Sequence, residues 1–331
     1  MKVIDLHNDI AINSLYTTHK NFFEENNFYD WWNTEGKDIV NQVDLPRIIQ
    51  WDVKIIFGAC CLMPDMYNHI LDTKRFLIEK QIDFYDYLIE KSNWRINQIL
   101  NQMDLDYVSW KEEVIWLIKH IEGFYFAEKN KDLEILDHYY QRGIRSIWLT
   151  WNKANNIAWW IDEDKNLTNI GRRFLKKLQE KNIIIDLAHL WKRSFEDVLN
   201  YVDQPVMVSH TQLENFKKHP RNINKSSLKK IAQKNWIIGL MPYPKFLGSS
   251  NIIDYIESLK YVIDNVWIAH VSIGTDFDGF FSSKKIKEFC QSSDFPALEK
   301  KLKDNWFSSE DVHRIFFGNA YNFIKNVLSK N

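Results

Sequence analysis

The sequence predicts an α/β chain folded as one (β/α)8 TIM-type barrel, with a helical insertion after the second strand. Three observations carry that expectation. Eight short runs rich in apolar and β-branched residues read as strands buried on both faces. Most of the later runs are separated by stretches whose apolar residues recur at helical spacing. Five of the runs place a histidine or a carboxylate at or near their carboxyl ends. That edge is where parallel α/β sheets carry their chemistry.

The first strand is expected at Lys2–Asp9, where His7 and Asp9 lie two apart and share a face. An imidazole and a carboxylate so placed make a compact pair of metal ligands, although a solvated turn reads equally well. Thr17–Trp51 is polar and aromatic and reads as a long loop with helical turns. Asp52–Met63 is the second strand. The stretch Pro64–Trp110 reads as the insertion, charged and helically patterned (Ile70, Phe76, Leu77, Ile82, Phe84, Leu88), with a solvated outer face. Glu113–Gly123 is the third strand. It closes on Glu122, read as a ligand because of its equivalent placement, while His120 on the same face reads as structural.

Leu133–Arg142 is a helix and Ile144–Asn152 the fourth strand. The helix Thr168–Lys181 leads into two histidine-ended strands, Asn182–Leu190 and Pro205–His210, joined by the helical pattern Trp191–Asp203. This β-α-β unit sets His189 and His210 on one edge. In the following loop, Thr211–Ile223, Arg221 could clamp a substrate carboxylate by a bidentate bond or be an ordinary surface residue. Ser226–Lys234 is a helix, Trp236–Pro244 the seventh strand, Ile252–Val266 an amphipathic helix, and Val271–Gly279 the eighth strand, ending in Asp276 and Asp278. A helical tail occupies about residues 283–331, with a capping-box start at Ser308–Asp311.

The totals exclude several classes. No Pro/Gly/Ser-rich linker divides the 331 residues, so residues 1–331 are expected to form a single domain. Lys+Arg and Asp+Glu number 43 and 44, which leaves no basic footprint for nucleic acid. Cys60 and Cys61 are adjacent and Cys290 is distant, so neither a disulfide framework nor a cysteine zinc site is expected. No charged leader and no apolar run of membrane-spanning length is visible, so a cytoplasmic protein without a membrane partner is expected.

The motifs DLHND, IEG, LTWN, DLAH…PVMVSH, HPRN and IGTDFDG, followed by SDFP and GNA, stand in this order from residue 4 to about residue 323. In that combination the chain resembles the membrane dipeptidase family of zinc metallopeptidases, within the amidohydrolase-like barrels. The resemblance covers everything except Pro64–Trp110. It implies two Zn2+ ions, with His7 and Asp9 on one, His189 and His210 on the other, and Glu122 bridging and so part of the catalytic machinery. It further implies Arg221 on the substrate's terminal carboxylate and Asp276 as the group that handles the water's proton. Trp151 and Asn152 of the LTWN motif are expected to contact substrate. Some family members have a histidine where Trp151 stands, and this chain follows the other branch. The implied activity is hydrolysis of dipeptides. Another binuclear amidohydrolase activity, on lactones or N-acyl amino acids, and a non-catalytic binding barrel are the alternatives. A small dipeptide is the expected partner, and a homodimer is the one protein assembly left open.

One feature of composition stands apart from all this. The chain has fourteen tryptophans and only ten glycines, where glycine usually supplies about 7% of residues. Several tryptophans follow asparagine or sit where turns are expected. If UGA codons meaning glycine were read as tryptophan, several of Trp51, Trp160, Trp236, Trp267 and Trp306 should lie at turns, exposed or with positive φ. Trp148 and Trp191 resemble glycine positions of the family as well.

Overall fold

Nine parallel strands form the sheet of this computed structural model, which describes residues 1–26, 41–62, 69–108, 112–158, 166–190, 192–234, 236–279 and 285–329. The strands are β1 (Val3–Asn8), β2 (Val53–Cys61), β3 (Ile96–Gln98), β4 (Ile115–Glu122), β5 (Ile144–Trp148), β6 (Ile184–Asp186), β7 (Val206–Thr211), β8 (Ile237–Leu240) and β9 (Val271–Ile273). β1 pairs with both β2 and β9, and β2 pairs with β4, so eight strands close a barrel. β3 is the ninth. It pairs with β4 from Ile115 to Leu117, along the edge that β5 takes over at Lys119.

Every residue of the eight barrel strands is buried. That is why these strands read as nearly continuous apolar runs instead of alternating ones. Helices cover the outside. Leu71–Lys91 buries Ile78, Ile82, Tyr85 and Leu88 and makes the crossover from β2 towards β4. It lies inside the stretch expected as an insertion, as does β3, which the helical patterning there concealed. Asn169–Glu180 starts where the Thr168 hydroxyl accepts from the Gly171 N–H at 2.9 Å, and it buries Phe174, Leu175 and Leu178. Lys192–Tyr201 packs Phe195, Val198 and Leu199 inward. The capping box expected at Ser308 is present, with reciprocal bonds to Asp311. Among the described residues no helix is long and apolar enough to cross a membrane.

The strands are shorter at their carboxyl ends than the apolar runs suggest. β6 stops at Asp186 and β9 at Ile273. Beyond them His189, Asp276 and Asp278 adopt positive φ, at 65°, 60° and 67°. The chain turns there to bring side chains over the barrel mouth, and the strand geometry is given up.

The tryptophans divide. Trp160 and Trp191 lie outside the described residues. Trp51 closes the helix Leu45–Gln50 with an ordinary φ of −105°, and Trp236 is buried, so neither meets the expectation of a glycine-like site. Trp148 is buried inside the barrel. Trp267 and Trp306 are exposed and have φ of 84° and 73°.

Candidate metal centre

β1 delivers His7 from inside the strand and Asp9 just past its end. Their contact, Nε2 to Oδ2, is 3.3 Å. Glu122 closes β4 and stands between two histidines. One of its oxygens, Oε2, is 3.8 Å from His7 Nε2, and the other, Oε1, is 3.8 Å from His189 Nε2. His189 reaches over from the turn after β6, and His210 comes from β7, their Nε2 atoms 3.1 Å apart. The rings of His7 and His210 stack at 4.5 Å between centroids. Asp276 completes the circle, its Oδ1 3.6 Å from His7 Nε2. Two triads, His7–Asp9–Glu122 and His7–His210–Asp276, each bring three donor atoms within 4.8 Å of one another. All five residues expected as ligands therefore meet at one place, and Asp276 meets them.

The electrostatics suit cations. Burial, then the Asp9 and Asp276 carboxylates, hold Glu122 well above the usual carboxylate range. Asp276 is pushed up to about 7: burial and Asp9 raise it against the lowering pull of His7 and Arg221. Burial lowers His189 and His210, with Arg221 and His7 adding to it, so both are neutral imidazoles ready to donate a lone pair. His7 is pulled down by burial, but Asp9, Asp276 and Asp186 outweigh that and raise it. Glu122 Oε2 is buried without a hydrogen-bond partner. A buried carboxylate with an unmatched oxygen among other carboxylates is costly unless a cation joins it. The donor set of imidazoles and carboxylates fits zinc or a similar divalent ion.

The supporting contacts fix the ligands. His189 Nδ1 lies 3.1 Å from Asn152 Oδ1, and His210 Nδ1 lies 3.0 Å from the Ser209 hydroxyl. Asn152, expected to contact substrate, thus orients a histidine. Trp151, half-buried, stands beside the same histidine at 6.1 Å between ring centroids. Its backbone N–H donates to the Tyr125 hydroxyl at 3.0 Å. Arg221 reaches in from the loop after β7 and places a guanidinium nitrogen 3.0 Å from His210 Nε2. Burial lowers it to about 10, while Asp276, Glu122 and Asp186 favour its charge.

His120, expected to be structural, lies inside the barrel with Nδ1 2.7 Å from the Ser146 hydroxyl. Asp278 points away from the centre, pairs with Lys20 and accepts the Gln42 N–H at 2.8 Å. Sequence reading passed over Asp186. Its Oδ1 accepts the N–H groups of Ala188 and Ser209, each at 3.0 Å. These are the residues immediately before His189 and His210, so one carboxylate ties both histidine-bearing segments. Its Oδ2 receives the Trp148 indole N–H. The DLAH motif did contain this aspartate, but nothing in its spacing distinguished it from the histidine beside it.

The chain matches the sequence family Membrane dipeptidase (Peptidase family M19) over residues 1–330. It is 24% identical over 349 residues to the dipeptidase aclJ of Aspergillus oryzae, an alignment covering 98% of this chain and 77% of that protein. It is 25% identical over 327 residues to an uncharacterised dipeptidase of Schizosaccharomyces pombe, covering 91% of this chain and 74% of that one. In fold it is similar to a metallopeptidase from Rhodobacter sphaeroides crystallised with a phosphinate mimic of the dipeptide L-Ala-D-Ala. The TM-score there is 0.87 at 18% identity, with 99% of each chain covered.

Proposed function

The chain belongs to the membrane dipeptidase family, and from that premise we propose a dipeptidase whose reaction centre is the cluster above, holding two zinc ions. The observation that carries the two-metal reading is Glu122, whose two oxygens face different histidines, at 3.8 Å each. His7 and Asp9 would hold one ion and His189 and His210 the other, with Glu122 between them. A metal pair bound there supplies the acidity that makes water a nucleophile at neutral pH and polarises the peptide carbonyl.

The chain's own residues do the rest. Asp276, whose Oδ1 stands 3.6 Å from His7 Nε2, takes the proton of the attacking water at its carboxylate and gives it to the leaving amine. Arg221 binds the free carboxylate of the substrate, and the low-dielectric surroundings that depress its pKa also strengthen that pairing. Because the carboxylate must reach Arg221 while the peptide bond sits over Glu122, the site measures the distance from scissile bond to chain end. That fixes a single residue on the carboxyl side of the scissile bond. Trp151 stands beside His189, where it would meet the substrate.

The test is hydrolysis of a panel of dipeptides by metal-reconstituted protein, L,L and L,D pairs side by side, with L-Ala-D-Ala included because of the Rhodobacter sphaeroides ligand. N-acyl amino acids and lactones belong in the same panel. Turnover of those alone, with every dipeptide inert, would overturn the proposal. Metal analysis of the active protein should give two zinc ions per chain.

A further inference from the structure

Several helices in this chain end on a left-handed residue just past the cap, an aspartate in one case, Asp52 at φ 57° after the helix Leu45–Gln50. The helix Asn169–Glu180 ends with Asn182 N–H donating to Gln179 O at 3.1 Å and Ile183 N–H to Leu178 O at 3.0 Å, with Asn182 at φ 50°. The helix Ile135–Gln141 ends at Gly143, φ 87°, whose N–H donates to Tyr140 O at 3.0 Å. These positions need a left-handed residue, and glycine or asparagine provides it. The helix Phe295–Asp304 ends in the same pair of bonds. Trp306 N–H donates to Lys303 O and Phe307 N–H to Leu302 O, both at 3.2 Å. The left-handed residue there is Trp306, φ 73°, and its side chain is 95% exposed.

Two more tryptophans break rules of their own. Arg95 N–H donates to Ser92 O at 3.3 Å across Asn93 and Trp94, whose φ values are 50° and 70°. Positive φ at both central residues marks a type I′ turn, whose sequence signature is Asn-Gly. Trp267 closes the helix Ile252–Val266 at φ 84°, ψ 153°, a region that essentially only glycine enters. Trp94 and Trp267 are 57% and 78% exposed.

A bulky residue with positive φ is held there only when its surroundings over-determine it. His189, Asp276 and Asp278 fit that condition, since each is enclosed by the metal centre or by a buried ion pair. The three tryptophans are largely exposed, and three different conformations that favour glycine, one of them essentially glycine-only, coincide with them. We propose that residues 94, 267 and 306 are glycine in the protein as its own cell makes it, encoded by UGA codons which that cell reads as glycine. The surplus of tryptophan over glycine, fourteen against ten, has the same origin.

Mass spectrometry of peptides from the protein purified from its own cell decides the point. Glycine is expected at all three positions, and tryptophan at any one of them overturns the proposal. A second measurement tests the physical basis in recombinant protein carrying the written sequence. Trp306→Gly should raise the melting temperature, whereas Trp306→Ala, which removes the same ring but keeps a Cβ, should not. An equal rise in both, or no rise with glycine, would remove the conformational argument and the proposal with it.

Discussion

Asp276 and Asp278 are two residues apart and both have positive φ, yet they face different neighbours. Asp276 looks at His7, while Asp278 is paired with Lys20. Substitution should separate them by kind. Asp276→Asn is expected to keep its metal and lose roughly 10²–10⁴-fold in turnover, as for a missing general base. Loss of metal together with activity would make Asp276 a ligand instead. Asp278→Asn leaves Lys20 buried without its charge partner, so its effect should appear in the melting temperature first. Arg221 has a sharper test. Amidating the substrate's carboxyl terminus should slow the unaltered enzyme far more than Arg221→Ala, and equal sensitivity in both would take Arg221 out of the substrate site. At this scale the sequence was informative, because each of these side chains is chemically distinctive and sits in a recognisable motif. The partners that orient them were not legible, since Asn152 meets His189 across 37 residues of chain and leaves no pattern along the sequence.

At the scale of elements, the apolar runs located the barrel strands but not their ends. β6 and β9 each stop three residues short of a residue that faces the centre, His189 in one case and Asp276 in the other. Hydrophobicity continues past a strand's end wherever the following turn is still buried, so composition alone cannot mark it. Two devices hold the turn after β6. Asp186 ties the segments before His189 and His210, and Asn152 orients the His189 ring. Outer partners of this kind are worth about tenfold to a hundredfold in metal affinity. Asn152→Ala should therefore weaken metal binding by about that factor while leaving the melting temperature of the metal-free protein nearly unchanged, as read by metal titration and a thermal melt. A fall in stability without a change in affinity would make Asn152 structural. β3 shows the converse: three residues inside a helically patterned stretch are too few to register as a strand.

Over the whole molecule, the barrel gathers donors that span the chain from His7 to Asp276, and it concentrates negative charge in doing so. Without a cation, burial and mutual repulsion keep Glu122 and Asp276 protonated well above the usual carboxylate range, Asp276 up to about 7. His7 is raised too, despite its burial, by the Asp9, Asp276 and Asp186 carboxylates. The unfolded chain releases the carboxylate protons near pH 4, so between about pH 4 and about pH 7 the folded, metal-free protein holds a proton at Asp276 that the unfolded chain has lost, and Glu122 acts in the same direction. The stability tied to Asp276 is therefore present at low pH and is lost as pH rises towards 7, and that tied to Glu122 falls with rising pH in the same sense. A bound metal ion must first displace these protons, and each one costs about a tenfold loss of affinity per pH unit below the pKa of its group. Burial holds His189 and His210 well below the usual imidazole range, so near neutral pH they carry no proton for the metal to displace. The difference in melting temperature between metal-loaded and metal-free protein should accordingly widen as pH rises from about 5.5 to about 7.5 and level off above that. Calorimetry at about pH 6.5 in buffers of different ionisation enthalpy should record protons released on metal binding. A melting difference independent of pH, with no proton release, would mean that metal binding does not displace protons from these carboxylates.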